Sequence, residues 1–169
     1  VMGGALLEPG NVTPVAEFNF FVDPHAAQQI VQLNPRLTLV PLDVTRKAVL
    51  VERAMVAAGG RGDPIAAFCE AAARTAIAQG ENTTGVRGMC LHDPLVVGLA
   101  CDPGVCILET CWIEIETEGA STSGQVVFDR RQRAAGELPA GVPVQCATGI
   151  DCDLFMGMFY DRVFGGSAN

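Results

Sequence analysis

GNVTPVAEFNFFVDP, residues 10–24, places Asn11, Glu17 and Asn19 among Val12, Val15, Ala16, Phe18, Phe20, Phe21 and Val22. Burying amides and a carboxylate in such company costs about 1–3 kcal/mol for each unpaired group, and more for a charge. Three such side chains within so short a run point to a polar ligand as their partner. The competing reading makes Asn11 and Thr13 an Asx or Ser/Thr turn and Glu17 a solvated face. The stretch closes on Asp23-Pro24, which predicts a helix over 25–33 with Asp23 as N-cap and Pro24 at its first position.

Beyond it, RLTLVPLDV (36–44) reads as a buried strand closed by a turn at DVTRK. Residues 46–58 and 63–79 read as Ala-rich helices around GGRGDP, and GENTTGVRG (80–88) as a loop. HDPLVVGLACDP (92–103) reads as a short helix between Asp-Pro signals. CILETCWIEIETEG, GQVVFDR and VPVQCAT read as strands. DCDLFMGMFYDRVFG reads as an amphipathic helix with Leu154, Met158 and Val163 on its apolar face. Helices and strands first alternate, then strands dominate, which gives one α/β domain fragment over 1–169.

Composition narrows the classes. Of 169 residues, 49% are hydrophobic and 18% charged, with a mean hydropathy of +0.30. No apolar run reaches the roughly 18–20 residues of a membrane helix, so no membrane partner is expected. A chain this apolar is expected to be one half of a larger body. The net charge of −8 and the single dense basic run, DRRQR (129–133), read as an exposed turn, argue against nucleic acid as a partner. Seven irregularly spaced cysteines, without a Cys-x-x-Cys pair, read as reduced thiols and a cytoplasmic location. VMGGALLEPG lacks a secretory pattern and an initiator Met, so the chain is expected to start within a longer protein. RGD (61–63), GGRG (59–62) and the glycosylation patterns at Asn11 and Asn82 are read as chance matches.

A second polar group sits in LHDPLVVG (91–98), where His92 and Asp93 precede Pro94. Alone, Asp93 reads as a helix cap and His92 as a surface side chain. With Asn11, Glu17 and Asn19 they make an inventory suited to a hydroxyl-rich ligand beside a hard cation. VMGGA (1–5), GNVTPVAEFNFFVDP (10–24), LDVT (42–45) and HDPL (92–95), in this order and spacing, resemble the nucleoside hydrolases, the inosine-uridine-preferring family.

That resemblance implies an open, mostly parallel α/β sheet with flanking helices and a calcium-dependent cleavage of the N-glycosidic bond of ribonucleosides, in purine and pyrimidine salvage. It further implies that Asn11, Glu17 and Asn19 bind the ribose hydroxyls and that Met2 lines the same pocket. Asp93 would ligate calcium and touch the sugar, and His92 would donate a proton to the leaving base. The substrate would be a ribonucleoside, and the full-length form a homo-oligomer. The family's Asp-x-Asp-x-x-x-Asp-Asp cluster, with its general base, has no counterpart; the only Asp-x-Asp is DCD at 151–153. The family's mid-chain Thr carbonyl ligand has none either. The chain is therefore expected to be an incomplete, C-terminal portion that is inactive alone, with a non-catalytic ribose-binding or interaction module as the alternative. The loop at 80–90 carries Asn82, Thr83, Thr84 and Arg87 but no aromatic, which leaves the preferred base open.

Overall fold

A computed structural model describes residues 1–33, 36–59, 64–84 and 87–164, with side chains for all of these except 57–59 and 79–84. RGD, residues 60–62 of GGRG and the side chain of Asn82 lie outside the described set. The chain packs as two compact units: Val1–Val44 with Cys106–Gly149, and Thr45–Val105 with Ile150–Asn169.

In the first unit, the Asp23 carboxylate accepts from the N–H of Ala26 at 2.9 Å. This cap and Pro24 start helix α2 (Pro24–Leu33), after the short α1 (Phe18–Val22). Ala27 and Val31 of α2 are buried with Leu39, Cys111, Ile113, Ile115, Val126, Val144 and Cys146 in one core. Those residues come from β1 (Thr38–Leu39), β4 (Cys106–Ile115), β5 (Val126–Phe128) and β6 (Val142–Ile150), ordered β1-β6-β4-β5. β1 runs parallel to β6, and β4 antiparallel to β5. Gln145 donates to Thr110, and Gly149 and Gly141 lie against Ile107 and Ile113, so β4 and β6 also run antiparallel. At the β1 edge, residues 1–4 continue the row in parallel: Val40 N donates to Val1 O, Gly3 N to Val40 O and Leu42 N to Gly4 O.

The α/β class with flanking helices holds, while the sheet is mixed rather than mostly parallel. The connections at 116–125 and 129–141 carry no helix, and without a crossover successive strands return antiparallel. The expected strand at 36–44 is short, because Leu42–Thr45 turns into the single-turn helix α3. Gly124 has φ +82°, and a Cβ there would meet the Phe21 backbone at 2.8 Å, so only glycine lets the β4–β5 connection approach α1 this closely.

The DRRQR run organises the β5–β6 connection rather than projecting freely. Asp129 accepts from the Arg131 guanidinium and from the Ala140 N–H, and pairs with Arg133. Arg133 Nη1 donates to the Leu138 carbonyl at 2.6 Å. Arg130, Arg131 and Gln132 are exposed, whereas the Arg133 side chain is 13% exposed.

In the second unit, the expected helix over 46–58 starts late. Val49–Val51 forms β2, paired antiparallel with β3 (Gly88–Cys90), before α4 (Glu52–Gly59) begins. Two β-branched valines flanking Leu50, with a partner strand available, override the helical propensity of the alanines around them. The next helix, α5 (Pro64–Thr84), continues past residue 79 into the segment read as a loop. Arg87 then bonds Glu52 through two nitrogens, at 2.6 and 3.0 Å, fastening β3 to the start of α4. α6 (His92–Cys101), a 3-10 turn at Pro103–Val105 and α7 (Cys152–Val163) complete the unit. α7 buries Phe155, with Phe164 just beyond it, while Leu154 is 41% exposed. Of the expected face, Met158 packs against α6 beside Phe155, whereas Leu154 is turned away. Gly98 is the reason: a Cβ there would meet the Phe155 ring at 2.8 Å, so Phe155 seats where α6 has no side chain. DCD at 151–153 is a helix start, with Asp151 accepting from the Leu154 N–H at 2.9 Å.

Candidate functional site

The candidate residues fall in both units, and each set is built by its own local structure. In the first unit, the loop at 10–16 folds onto the Ala16 carbonyl, which receives the N–H groups of Asn11, Val12 and Thr13. Thr13 Oγ1 accepts from the N–H groups of Val15 and Ala16, a Ser/Thr turn. Asn11, exposed, accepts from the Phe18 N–H at 2.9 Å. Ala16 pairs with Gln125, which anchors the loop beside the sheet.

Glu17 is no solvated face. It is 2% exposed and is the N-cap of α1. Its Oε1 accepts from the Asn19 N–H at 2.9 Å, and its Oε2 from Gly4 at 2.9 Å and Phe20 at 3.3 Å. Backbone of this chain therefore supplies partners that the sequence suggested a ligand would supply. A carboxylate offers about four acceptor sites, so three N–H groups leave room for about one further donor. Asn19 turns its amide nitrogen to Met2, 3.4 Å from the carbonyl oxygen and 3.3 Å from Sδ. Met2, Glu17 and Asn19 thus lie together, Glu17 through Gly4 and Asn19 through Met2.

Asp43, to which the sequence reading gave no role, accepts from the N–H groups of Leu6 and Leu7 at 2.8 Å and Glu8 at 3.2 Å. It holds the segment after Gly4 against the first turn of α3. A carboxylate inside an apolar LDV run was the available signal.

In the second unit, His92 and Asp93 open α6, whose N-cap is Leu91 without a side-chain cap bond. Asp93 is exposed, lies in the first turn, and has no hydrogen-bond or ion-pair partner for its carboxylate among the described residues. It is at the lip of a cavity of about 440 Å³ between α6 and α7, lined by Val97, Phe155, Met158 and Phe159. His92 is half-buried, and its Nδ1 lies 2.7 Å from Oγ1 of Thr45, which is wholly buried. Thr45 too was missed as a site residue; nothing local in LDVT marks a contact 47 residues away.

The described residues of this chain do not by themselves fit a calcium ion. Calcium takes six to eight oxygen ligands. Asp93 offers one carboxylate, and no group of three His, Cys, Asp or Glu side chains converges among the described residues. All seven cysteines are free thiols. Burial raises the pKa of Cys111 and pushes that of Cys146 much further up, the two thiols being in contact. Among the described residues no helix is long and apolar enough to cross a membrane.

Comparison with known proteins agrees with this architecture. Residues 1–157 match the model of the family described as inosine-uridine preferring nucleoside hydrolase. A pyrimidine-specific ribonucleoside hydrolase RihA of Photobacterium profundum is 35% identical over 133 residues, covering 78% of this chain and 43% of that protein. The RihA of Shewanella sp. (strain ANA-3) is 33% identical over 164 residues, 96% of this chain and 50% of that protein. The solved purine-preferring ribonucleoside hydrolase from Gardnerella vaginalis superposes with a TM-score of 0.84 at 28% identity, over 97% of this chain and 51% of that one. The chain spans about half the length of the curated relatives it matches. With the family model matched over nearly all its length and the fold superposing on a solved member, this chain belongs to the inosine-uridine preferring nucleoside hydrolase family.

Proposed function

We propose that this chain is the C-terminal portion of a ribonucleoside hydrolase, which cleaves the N-glycosidic bond with water to give ribose and free base. The observation that carries the reading is the family match over residues 1–157, which takes in every candidate residue. Relatives described as pyrimidine-specific and purine-preferring both align, so the base preferred here is not assigned.

In this reading Met2, Asn11, Glu17 and Asn19 hold ribose. The capacity left on Glu17, beside Gly4, suits one sugar hydroxyl, and a site of amides and a carboxylate rejects analogues that lack the hydroxyls. Cleavage passes through an oxocarbenium-like sugar, which negative charge nearby stabilises. The C1′–N bond breaks with its electron pair leaving on the base, water oxygen bonds to C1′ and gives up a proton to the general base of the upstream aspartate cluster, and His92 delivers a proton to the departing nitrogen. Asp93 is the chain's candidate contact to calcium and sugar. No step is assigned to the metal, because the donor set here does not complete a site. The free thiols fit a reducing, cytoplasmic setting.

The test is a calorimetric calcium titration with and without ribose, then an assay of base release from inosine and uridine. This chain alone is expected to release no base. A chain extended upstream through an Asp-x-Asp-x-x-x-Asp-Asp cluster is expected to bind calcium and turn over. Tight calcium binding with hydrolysis by this chain alone overturns the expected inactivity. Nucleoside binding without turnover by the extended chain replaces the hydrolase with a non-catalytic binding module.

A further inference from the structure

We infer that Asp43 is a positioning residue for Glu17 and Asn19: it locks the turn after Gly4, and that turn fixes the backbone on which both side chains are held. The inference rests on the reading of Met2, Asn11, Glu17 and Asn19 as the ribose site.

The chain reaches this turn through two glycines. Along β1, the Gly3 N–H donates to the Val40 carbonyl at 3.3 Å, and the Gly4 carbonyl accepts from the Leu42 N–H at 3.0 Å. Gly4 then leaves the row at φ +73°, where a Cβ would meet Val126 Cγ2 at 2.7 Å. The same residue gives its N–H to Glu17 Oε2 at 2.9 Å, and the Met2 carbonyl and Sδ face the Asn19 amide. Glycine adopts many backbone conformations at similar cost, so Gly3 and Gly4 do not hold the turn by themselves. Burial beyond the turn does not hold it either: Leu7 is 62% exposed, and Glu8 and Pro9 are exposed as well.

Asp43 supplies the restraint. Its Oδ2 accepts from the Leu6 N–H, and its Oδ1 from those of Leu7 and Glu8, so three successive residues are tied to one side chain. Hydrogen bonds to an ionised acceptor are roughly twice as strong as neutral ones. Adjacent residues therefore hold both arms of the turn, Leu42 the Gly4 carbonyl before it and Asp43 the N–H groups after it. With both arms fixed, the Gly4 N–H stays aimed at Glu17 and the Met2 carbonyl at Asn19. The same tie sets the path of the chain toward Asn11.

The test is amide hydrogen exchange of the full chain followed by NMR, then titration with D-ribose. In the wild type the Leu6 and Leu7 amides are expected to exchange at least about tenfold more slowly than unprotected backbone. Asp43→Asn keeps the shape but loses at least one bond to a charged acceptor. It is expected to speed exchange at the Gly4 and Asn19 amides at least about tenfold, relative to the slowest core amides of the unit. D-ribose affinity is expected to fall at least about fivefold. Asp23→Ala, which removes the α2 cap in the same unit, is expected to change neither. Unprotected Leu6 and Leu7 amides in the wild type overturn the inference without any variant. So does an Asp43→Asn chain whose Gly4 and Asn19 exchange matches the wild type or Asp23→Ala, as does an unchanged D-ribose affinity. A wild-type chain that binds no D-ribose sinks the ribose reading instead; the exchange ratios, measured without ligand, still decide whether Asp43 positions Glu17 and Asn19.

Discussion

Glu17→Gln separates the two roles open to the buried carboxylate. The native side chain accepts three backbone N–H groups, one on Oε1 and two on Oε2. Glutamine has one amide oxygen. Placed at the Oε2 position, it keeps Gly4 and Phe20 and sets its NH₂ against the Asn19 N–H; placed at Oε1, it loses two bonds instead. The better rotamer therefore forfeits one bond to a charged acceptor, weakens two, and leaves a donor facing a donor. Bonds to charged groups contribute about 1.5–3 kcal/mol, and an unmet buried donor costs about 1–3 kcal/mol. The expected loss is about 2–4 kcal/mol, since these terms overlap. The assay is urea unfolding followed by the fluorescence of Trp112, the single tryptophan, which lies in the same unit as Glu17. With a slope of about 2 kcal/mol per M, the midpoint should fall by about 1–2 M at unchanged slope. A shift worth less than about 0.5 kcal/mol would refute the structural role. Glu17 would then be a ligand residue alone, and the variant's defect would appear only in nucleoside binding.

Acid should weaken the fold through two half-buried carboxylates. Arg87 bonds Glu52 and holds its pKa below the ordinary value, and the N–H groups of Glu118 and Gly119 do the same for Glu116. The folded pKa lies below the unfolded one in each case. Their contribution is therefore complete above the ordinary carboxylate pKa, about 4.3, and is lost as pH falls through the lowered folded values. Urea midpoints measured from neutral pH to about pH 3 should fall less steeply for Glu116→Gln, and an identical slope would remove Glu116 from this account. Alkylation of the native chain should modify exposed Cys101 first, with Cys111 and Cys146 protected until denaturant is added. Native Cys146 reacting as fast as Cys101 would contradict its burial.

Local chemistry made several elements legible. Asp23-Pro24 capped its helix, the helix read between two Asp-Pro signals formed at His92–Cys101 with Asp93 in its first turn, and the alternation after Cys106 became β4. These depend on neighbours within a turn or a strand, which sequence carries directly. The ordered motifs likewise carried the family, because four short stretches in fixed spacing constrain a chain far more than any one does. What failed depended on distant partners. Val49–Val51 became a strand only because Gly88–Cys90 lay beside it, and the apolar face of α7 was set by the gap at Gly98.

The same division runs through the candidate site. The sequence by itself determined which residue types were present, and their order identified Met2, Asn11, Glu17, Asn19, His92 and Asp93 as candidates. Only tertiary structure decided that Glu17 is held by Gly4, that Asp43 secures residues 6–8, and that His92 meets Thr45. The physical reason is that a hydrogen bond's worth depends on position and burial, and both are set by chain segments far apart in sequence.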